Sequence, residues 1–141
     1  MGLEDIIGSQ LLKGDQGTVQ TSELNDVPAI ALYFSAHWCP PCKMFTPKLV
    51  KYYNNANASS KQLEIVFISG DETEDEFQEY YGDMPWLATP FDEEQSTEIM
   101  SSFGVSGIPA LVVVSKDGTV INAGGRDDVE KGVNVSNWVK K

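Results

Sequence analysis

Two runs of seven residues, Ala-Ile-Ala-Leu-Tyr-Phe-Ser at 29–35 and Leu-Glu-Ile-Val-Phe-Ile-Ser at 63–69, constrain this chain more than any other feature. Runs this short and this apolar suit strands buried on both faces, because a strand with one wet side would alternate. Between them Phe45, Leu49, Tyr52, Tyr53 and Ala56 recur at helical spacing, which predicts a helix from Pro40 to about Ala56. Pro47 falls inside it, where no N–H can return to the Lys43 carbonyl, and a bend is expected there. Polar residues from Asn54 to Lys61 end the helix. Strand, helix and strand at this separation fit a right-handed parallel crossover and an α/β class.

Smaller elements follow from turn chemistry. Leu11–Lys13 and Thr18–Gln20 flank Gly14-Asp15-Gln16-Gly17, a turn-rich quartet that would join them as an N-terminal β-hairpin. Thr73, with Glu76 three residues on, has the form of a capping box and opens a short helix. Met84-Pro85-Trp86-Leu87 reads as a hydrophobic turn, with Met84 and Trp86 in the core. A helix from Glu93 to about Phe103 brings Ile99 and Met100 inward and stops at Gly104–Gly107. Leu111–Ser115 and Thr119–Asn122 form a second hairpin around Lys116-Asp117-Gly118. After Gly124-Gly125 a last helix is expected from near Asp128 to Lys140, weakened by Gly132. No repeat or linker interrupts the 141 residues, and 41% hydrophobic composition can fill one core, so residues 1–141 are read as a single domain.

A formal charge of −11 argues against nucleic acid or an anionic membrane as a partner, since both would repel the chain. No Lys or Arg occurs between Gln62 and Ser115, whereas eleven acids lie from Asp71 to Glu98, read here as a solvated rim. The N-terminal residues have neither the apolar core of a signal peptide nor, at Ile6, the Ser or Thr of a myristoylation motif. No segment is long enough to cross a bilayer. The expectation is a soluble cytoplasmic protein, with the nucleus as a second compartment, in which the sequons at Asn57 and Asn134 would stay unmodified.

The chain's two cysteines, Cys39 and Cys42, stand three apart where the first apolar run gives way to the helix. In a cytosolic protein such a pair points to redox work more than to a structural staple. A metal role would need further ligands, and only His37 and acids are at hand; no metal is expected. Residues at i and i+3 on a helix start lie about 5–6 Å apart at Cβ, so a small backbone adjustment closes a disulfide. A thiol at the positive end of a helix is favoured as thiolate, which assigns Cys39 as the attacking nucleophile. Cys42, one turn further in and more shielded, is then the resolving thiol that breaks the mixed disulfide. Trp38 is read as a flat apolar wall that receives the substrate beside the disulfide. His37, the single histidine, is either a general base or a solvent-facing loop residue.

Trp38-Cys39-Pro40-Pro41-Cys42-Lys43 at a strand-to-helix turn, with Ile108-Pro109 before a later hairpin, resembles the thioredoxin superfamily. The Pro-Pro filling is similar to its tryparedoxin and nucleoredoxin branch, as are Tyr33-Phe34-Ser35-Ala36, Met84–Ala88 and Gly107–Leu111. The resemblance implies a thioredoxin fold, with a mixed central sheet flanked by helices on both faces. It implies that Pro109 is cis and faces the cysteines, with the Ile108 backbone offering edge hydrogen bonds to an extended substrate. Pro40 and Pro41 would border that substrate, and Glu72 and Arg126 would contact its charged groups. Thioredoxins keep a buried acid six residues before the first cysteine, where this chain has Tyr33, so the base acting on Cys42 is unassigned. The function implied is reduction of protein disulfides, using no cofactor beyond a redox-active Cys39–Cys42 disulfide. The partners implied are disulfide-containing proteins and an upstream thiol reductant or reductase, with the chain acting as a monomer. The alternative is a redox-switched binding module whose dithiol state holds a partner.

One expectation can be tested at once. Pro40 and Pro41 remove the first two backbone donors of the helix, so Pro40→Gly should restore a donor to the Cys39 sulfur and make the disulfide more oxidising. An unchanged reduction potential in a redox titration would contradict it.

Overall fold

The computed structural model describes residues 3–14 and 17–138. In chain order the elements are α1 (Glu4–Ile7), β1 (Gln10–Lys13), β2 (Thr18–Gln20), β3 (Ala29–Ser35), α2 (Pro40–Ala56) and β4 (Leu63–Ser69). There follow α3 (Glu74–Tyr81), β5 (Leu87–Ala88), α4 (Glu93–Ser102), β6 (Ala110–Val114), β7 (Val120–Asn122) and α5 (Gly125–Lys131). Short 3-10 turns cover Thr21–Asp26 and Val135–Trp138. The strands form one mixed sheet in the order β2-β1-β5-β4-β3-β6-β7. β3, β4 and β5 are parallel, while β6 runs antiparallel to β3.

Both apolar runs are buried at every position, because β3 and β4 sit inside the sheet with helices over each face. Alternation divides their side chains. Ala31, Tyr33, Ile65 and Phe67 join one core with Phe45 and Leu49 of α2, Phe77 and Tyr80 of α3, and Val129 of α5. Ile30, Leu32, Phe34, Val66 and Ile68 join the other with Ile7 of α1 and Ile99 of α4. The thioredoxin arrangement implied by the resemblance is thus present, and the first hairpin pairs Leu11 with Val19. Its turn residues Asp15 and Gln16 lie outside the described residues. Asn57 fastens the crossover: its Oδ1 accepts from the Gln62 and Leu63 N–H groups, at 2.8 and 2.9 Å, and its Nδ2 donates to the Leu63 carbonyl at 3.0 Å.

Three expectations need correction. Leu87, read as the end of a turn, forms with Ala88 a strand that bridges β1 and β4; Met84 and Trp86 are core residues as expected. A two-residue strand has no periodicity to read, and its neighbours define it. The last helix begins at Gly125 and stops at Lys131, where Gly132 takes a left-handed conformation with φ 73° that ends the helix as a glycine cap. The 3-10 turn then buries Trp138, whose Nε1 donates to Asp128 at 2.9 Å; Lys140 is outside the described residues. Finally, Asp71 is 2% exposed and so is not part of the acidic rim, whereas Glu72, Glu74, Asp75 and Glu79 are exposed as expected.

Gly125 starts α5 directly against β6. A Cβ there would lie 2.8 Å from the Leu111 carbonyl oxygen and 3.1 Å from Leu111 Cγ. Gly125→Ala should therefore lower stability by about 1–3 kcal/mol in urea denaturation. Unchanged stability would mean that α5 can move off the sheet freely.

Candidate active site

β3 delivers the chain to the site. After Ser35 a turn closes with the Cys39 N–H on the Ala36 carbonyl at 3.2 Å, and Cys39 becomes the N-cap of α2 with extended backbone. Pro40 and Pro41 occupy the first helical positions, where prolines are tolerated, and Cys39 makes no side-chain capping bond. Both cysteines are free thiols. Cys39 is 5% exposed and Cys42 fully buried, in a small apolar pocket formed with Ala36 and Ile108. Ile108 and Pro109 are joined by a cis peptide bond, and the Ile108 carbonyl oxygen lies 3.9 Å from Cys39 Sγ.

Trp38 stands 53% exposed beside the cysteines, and its Nε1 donates to the Gly70 carbonyl at 2.9 Å. The ring is thus anchored at one edge while a face stays open. Gly70 N–H donates in turn to the Ser35 carbonyl at 2.8 Å. Asp71 completes this lock: Oδ1 accepts from the His37 N–H at 2.6 Å, and Oδ2 accepts from Ser69 Oγ at 2.6 Å. A buried carboxylate held by two donors fixes the backbone immediately before Trp38.

The other expected residues fall on two sides. Arg126, from the start of α5, donates to the Pro109 carbonyl at 3.4 Å, and its guanidinium lies 6.0 Å from the Phe45 ring centroid. It thus reaches the loop that faces Cys39. Asp128 is engaged elsewhere, accepting from Asn122 and Trp138. Glu72 is exposed, one residue beyond the Asp71 lock. His37 is half-buried, with Nε2 3.9 Å from a Glu79 carboxylate oxygen and its ring edge-on to Tyr80. Among the described residues no three His, Cys, Asp or Glu side chains converge as a metal site.

A group of hydroxyls lies behind the thiols. Ser35 Oγ and Tyr80 OH are 2.6 Å apart, as are Tyr80 OH and Thr46 Oγ1, and Tyr33 OH and Thr46 Oγ1. Thr46 Oγ1 donates to the Cys42 carbonyl at 2.9 Å. Burial pushes the Cys42 thiol up to about 11, reinforced by its hydrogen bond to Cys39 and opposed by the Ser35 hydroxyl. Burial also raises Tyr80, and raises Tyr33 far above the ordinary phenol range. Alternation along β3 puts Tyr33 and Ser35 on one face, and four-residue spacing puts Thr46 over Cys42, so these three had a sequence signal. Tyr80 and Asp71 had none, since only the fold brings them near.

Residues 28–120 match a family model described as thioredoxin-like. The chain is 38% identical over 126 residues to nucleoredoxin of Bos taurus, covering 89% of this chain but only 29% of that protein. It therefore spans less than a third of that relative's length. Among solved structures, tryparedoxin from Trypanosoma brucei superposes with a TM-score of 0.87 at 39% identity, covering 99% of each chain. A tryparedoxin II complexed with glutathionylspermidine gives 0.84 at 38% identity, covering 93% of this chain and 92% of that one.

The raised Cys42 value means that its neutral form is favoured, so this residue is a thiol across neutral pH. In the reduced protein the ultraviolet absorbance of thiolate should show one cysteine ionising only toward about pH 11, and Cys42→Ser should lack that step. Ionisation of Cys42 near the usual ~8.5 would contradict the assignment.

Proposed function

The chain belongs to the tryparedoxin and nucleoredoxin branch of the thioredoxin superfamily, a branch of thioredoxin-like oxidoreductases, and from that premise we propose that it reduces disulfides through Cys39 and Cys42. The observation that carries this reading is the pair of free thiols at the start of α2, one at the surface pocket and one behind it, facing the Ile108–Pro109 bond. The Cys39 thiolate attacks one sulfur of the substrate disulfide; that bond breaks and a mixed disulfide forms. Cys42 then loses its proton and attacks Cys39 Sγ. The sulfur that Cys39 attacked then leaves as a thiolate, and it and the sulfur released in the first step each take up a proton. Two electrons and two protons from an external dithiol restore the reduced pair, and the Cys39–Cys42 disulfide is the only redox group the cycle uses.

Substrate placement follows from what surrounds Cys39. The open face of Trp38 supplies apolar contact, and Pro40 and Pro41 border the approach. An extended segment can lie against the Ile108 backbone as an added strand. Glu72 on one side and Arg126 on the other offer opposite charges, suited to the ammonium and carboxylate groups of a glutathione-type thiol as reductant. A tryparedoxin II complexed with glutathionylspermidine supports that class of partner for this chain.

Insulin reduction with excess dithiothreitol tests the proposal. The wild type should accelerate precipitation, Cys39→Ser should lose at least about a hundredfold of the rate, and Cys42→Ser should accumulate mixed disulfides with its substrates. A wild type no faster than dithiothreitol alone would overturn it.

A further inference from the structure

Gly70 joins two walls of the site. Its N–H donates to the Ser35 carbonyl at 2.8 Å, and its carbonyl accepts from Trp38 Nε1 at 2.9 Å. The residues on either side of it are tied as well. Ser69 Oγ donates to Asp71 Oδ2 and accepts from the Asp71 N–H, while Asp71 Oδ1 accepts from the His37 N–H. With both of its own polar groups paired and both neighbours held, the backbone at position 70 has little freedom to retreat from a larger residue.

Neither conformation nor close packing requires glycine there. Gly70 is not among the glycines with positive φ, so its backbone admits any L residue. A Cβ would meet Ala36 Cβ and the Ser35 carbonyl oxygen at 3.6 Å and Ile108 Cδ1 at 3.8 Å, ordinary contact distances, unlike the 2.8 Å approach at Gly125. What the glycine does is leave space. That space lies against Ala36 and Ile108, which form the apolar pocket around Cys39 and Cys42, and Gly70 is only half-buried, so it is not sealed from solvent. The Ile108 carbonyl oxygen is 3.9 Å from Cys39 Sγ, which puts the open position beside the attacking thiol.

We propose that Gly70 is a specificity-determining residue of the exchange reaction: the side chain it lacks leaves room beside Ile108 for an apolar side chain next to the attacked cysteine of a protein disulfide. The lining decides the class. Ile108 Cδ1 and the Ala36 methyl are apolar, and the N–H and carbonyl of Gly70 are already paired. A hydrocarbon group gains contact there, whereas a charged one would lose water and find no partner. A leucine at position 70 would occupy the space from the protein's own side. It would leave the bonds to Ser35 and Trp38 in place, because both use the main chain of residue 70.

The inference rests on the thiol-exchange reading above, and a pair of substrates separates the two. Two synthetic peptide disulfides, identical except for leucine or glycine on both sides of the cysteine, are reduced with dithiothreitol as the electron source, and the monomeric peptide is followed by chromatography. The wild type should favour the leucine peptide by at least about tenfold in kcat/KM. Gly70→Leu should bring that ratio near one, chiefly by raising KM for the leucine peptide, as expected when binding contact rather than chemistry is lost. Gly70→Ala, whose methyl fits at ordinary contact distances, should fall between them. If Gly70→Leu does not fold, Gly70→Ala carries the test, with a ratio of about half the wild-type value or less. A wild-type ratio near one, a wild-type ratio retained in the variants, or equal loss on both peptides would overturn the proposal. A wild type no faster than dithiothreitol alone on either peptide would instead overturn the thiol-exchange reading.

Discussion

Pro40 and Pro41 leave the first turn of α2 without two of its backbone N–H groups, so the polar surroundings of the two thiols have to be brought from other parts of the fold. The sheet register does this. Parallel pairing sets Ser69 beside Ser35, so the loops after β4 and β3 begin side by side, and Gly70 and Asp71 meet Trp38 and His37. Antiparallel pairing sets Ala110 beside Phe34, so the Ile108–Pro109 bond arrives at the same end of β3. A slip of one residue in either pairing would turn Tyr33 and Ser35 away from α2, since strand side chains alternate between faces. The site therefore depends on β3 being buried on both faces and held at both edges.

That dependence explains what could be read from the residues alone. β3, α2 and β4 are carried by local composition: apolar runs of strand length with a helical stripe between them. The cysteines announce their chemistry by spacing and position. Asp71 is different. One more acid among eleven from Asp71 to Glu98 carries no mark of burial, and only the crossing of two loops gives its carboxylate the His37 N–H and the Ser69 hydroxyl. Tyr80 in sequence is an aromatic residue on the buried stripe of α3, and its hydroxyl acquires meaning only when Ser35 and Thr46 close around it. Leu87–Ala88 and the early end of α5 belong to the same group, decided respectively by the edges of β1 and β4 and by a left-handed Gly132. Arg126 lies between the two: the family resemblance singled it out, and the fold sets it against the Pro109 carbonyl.

Tyr33 shows why a chain of this kind can do without an acid beneath the thiols. A carboxylate buried at that position would itself bear a desolvation cost, and once Cys42 ionised it would stand beside a second negative charge. Burial already holds Cys42 well above the ordinary thiol range, and an added anion would oppose its ionisation further. Neutral hydroxyls avoid that repulsion, and those of Tyr33, Thr46, Tyr80 and Ser35 satisfy one another behind the thiols. Tyr33 is held in that buried position by its 2.6 Å hydrogen bond with Thr46, whose own hydroxyl donates to the Cys42 carbonyl. The phenol at 33 thus stands in for the acid's place in the core without taking its charge.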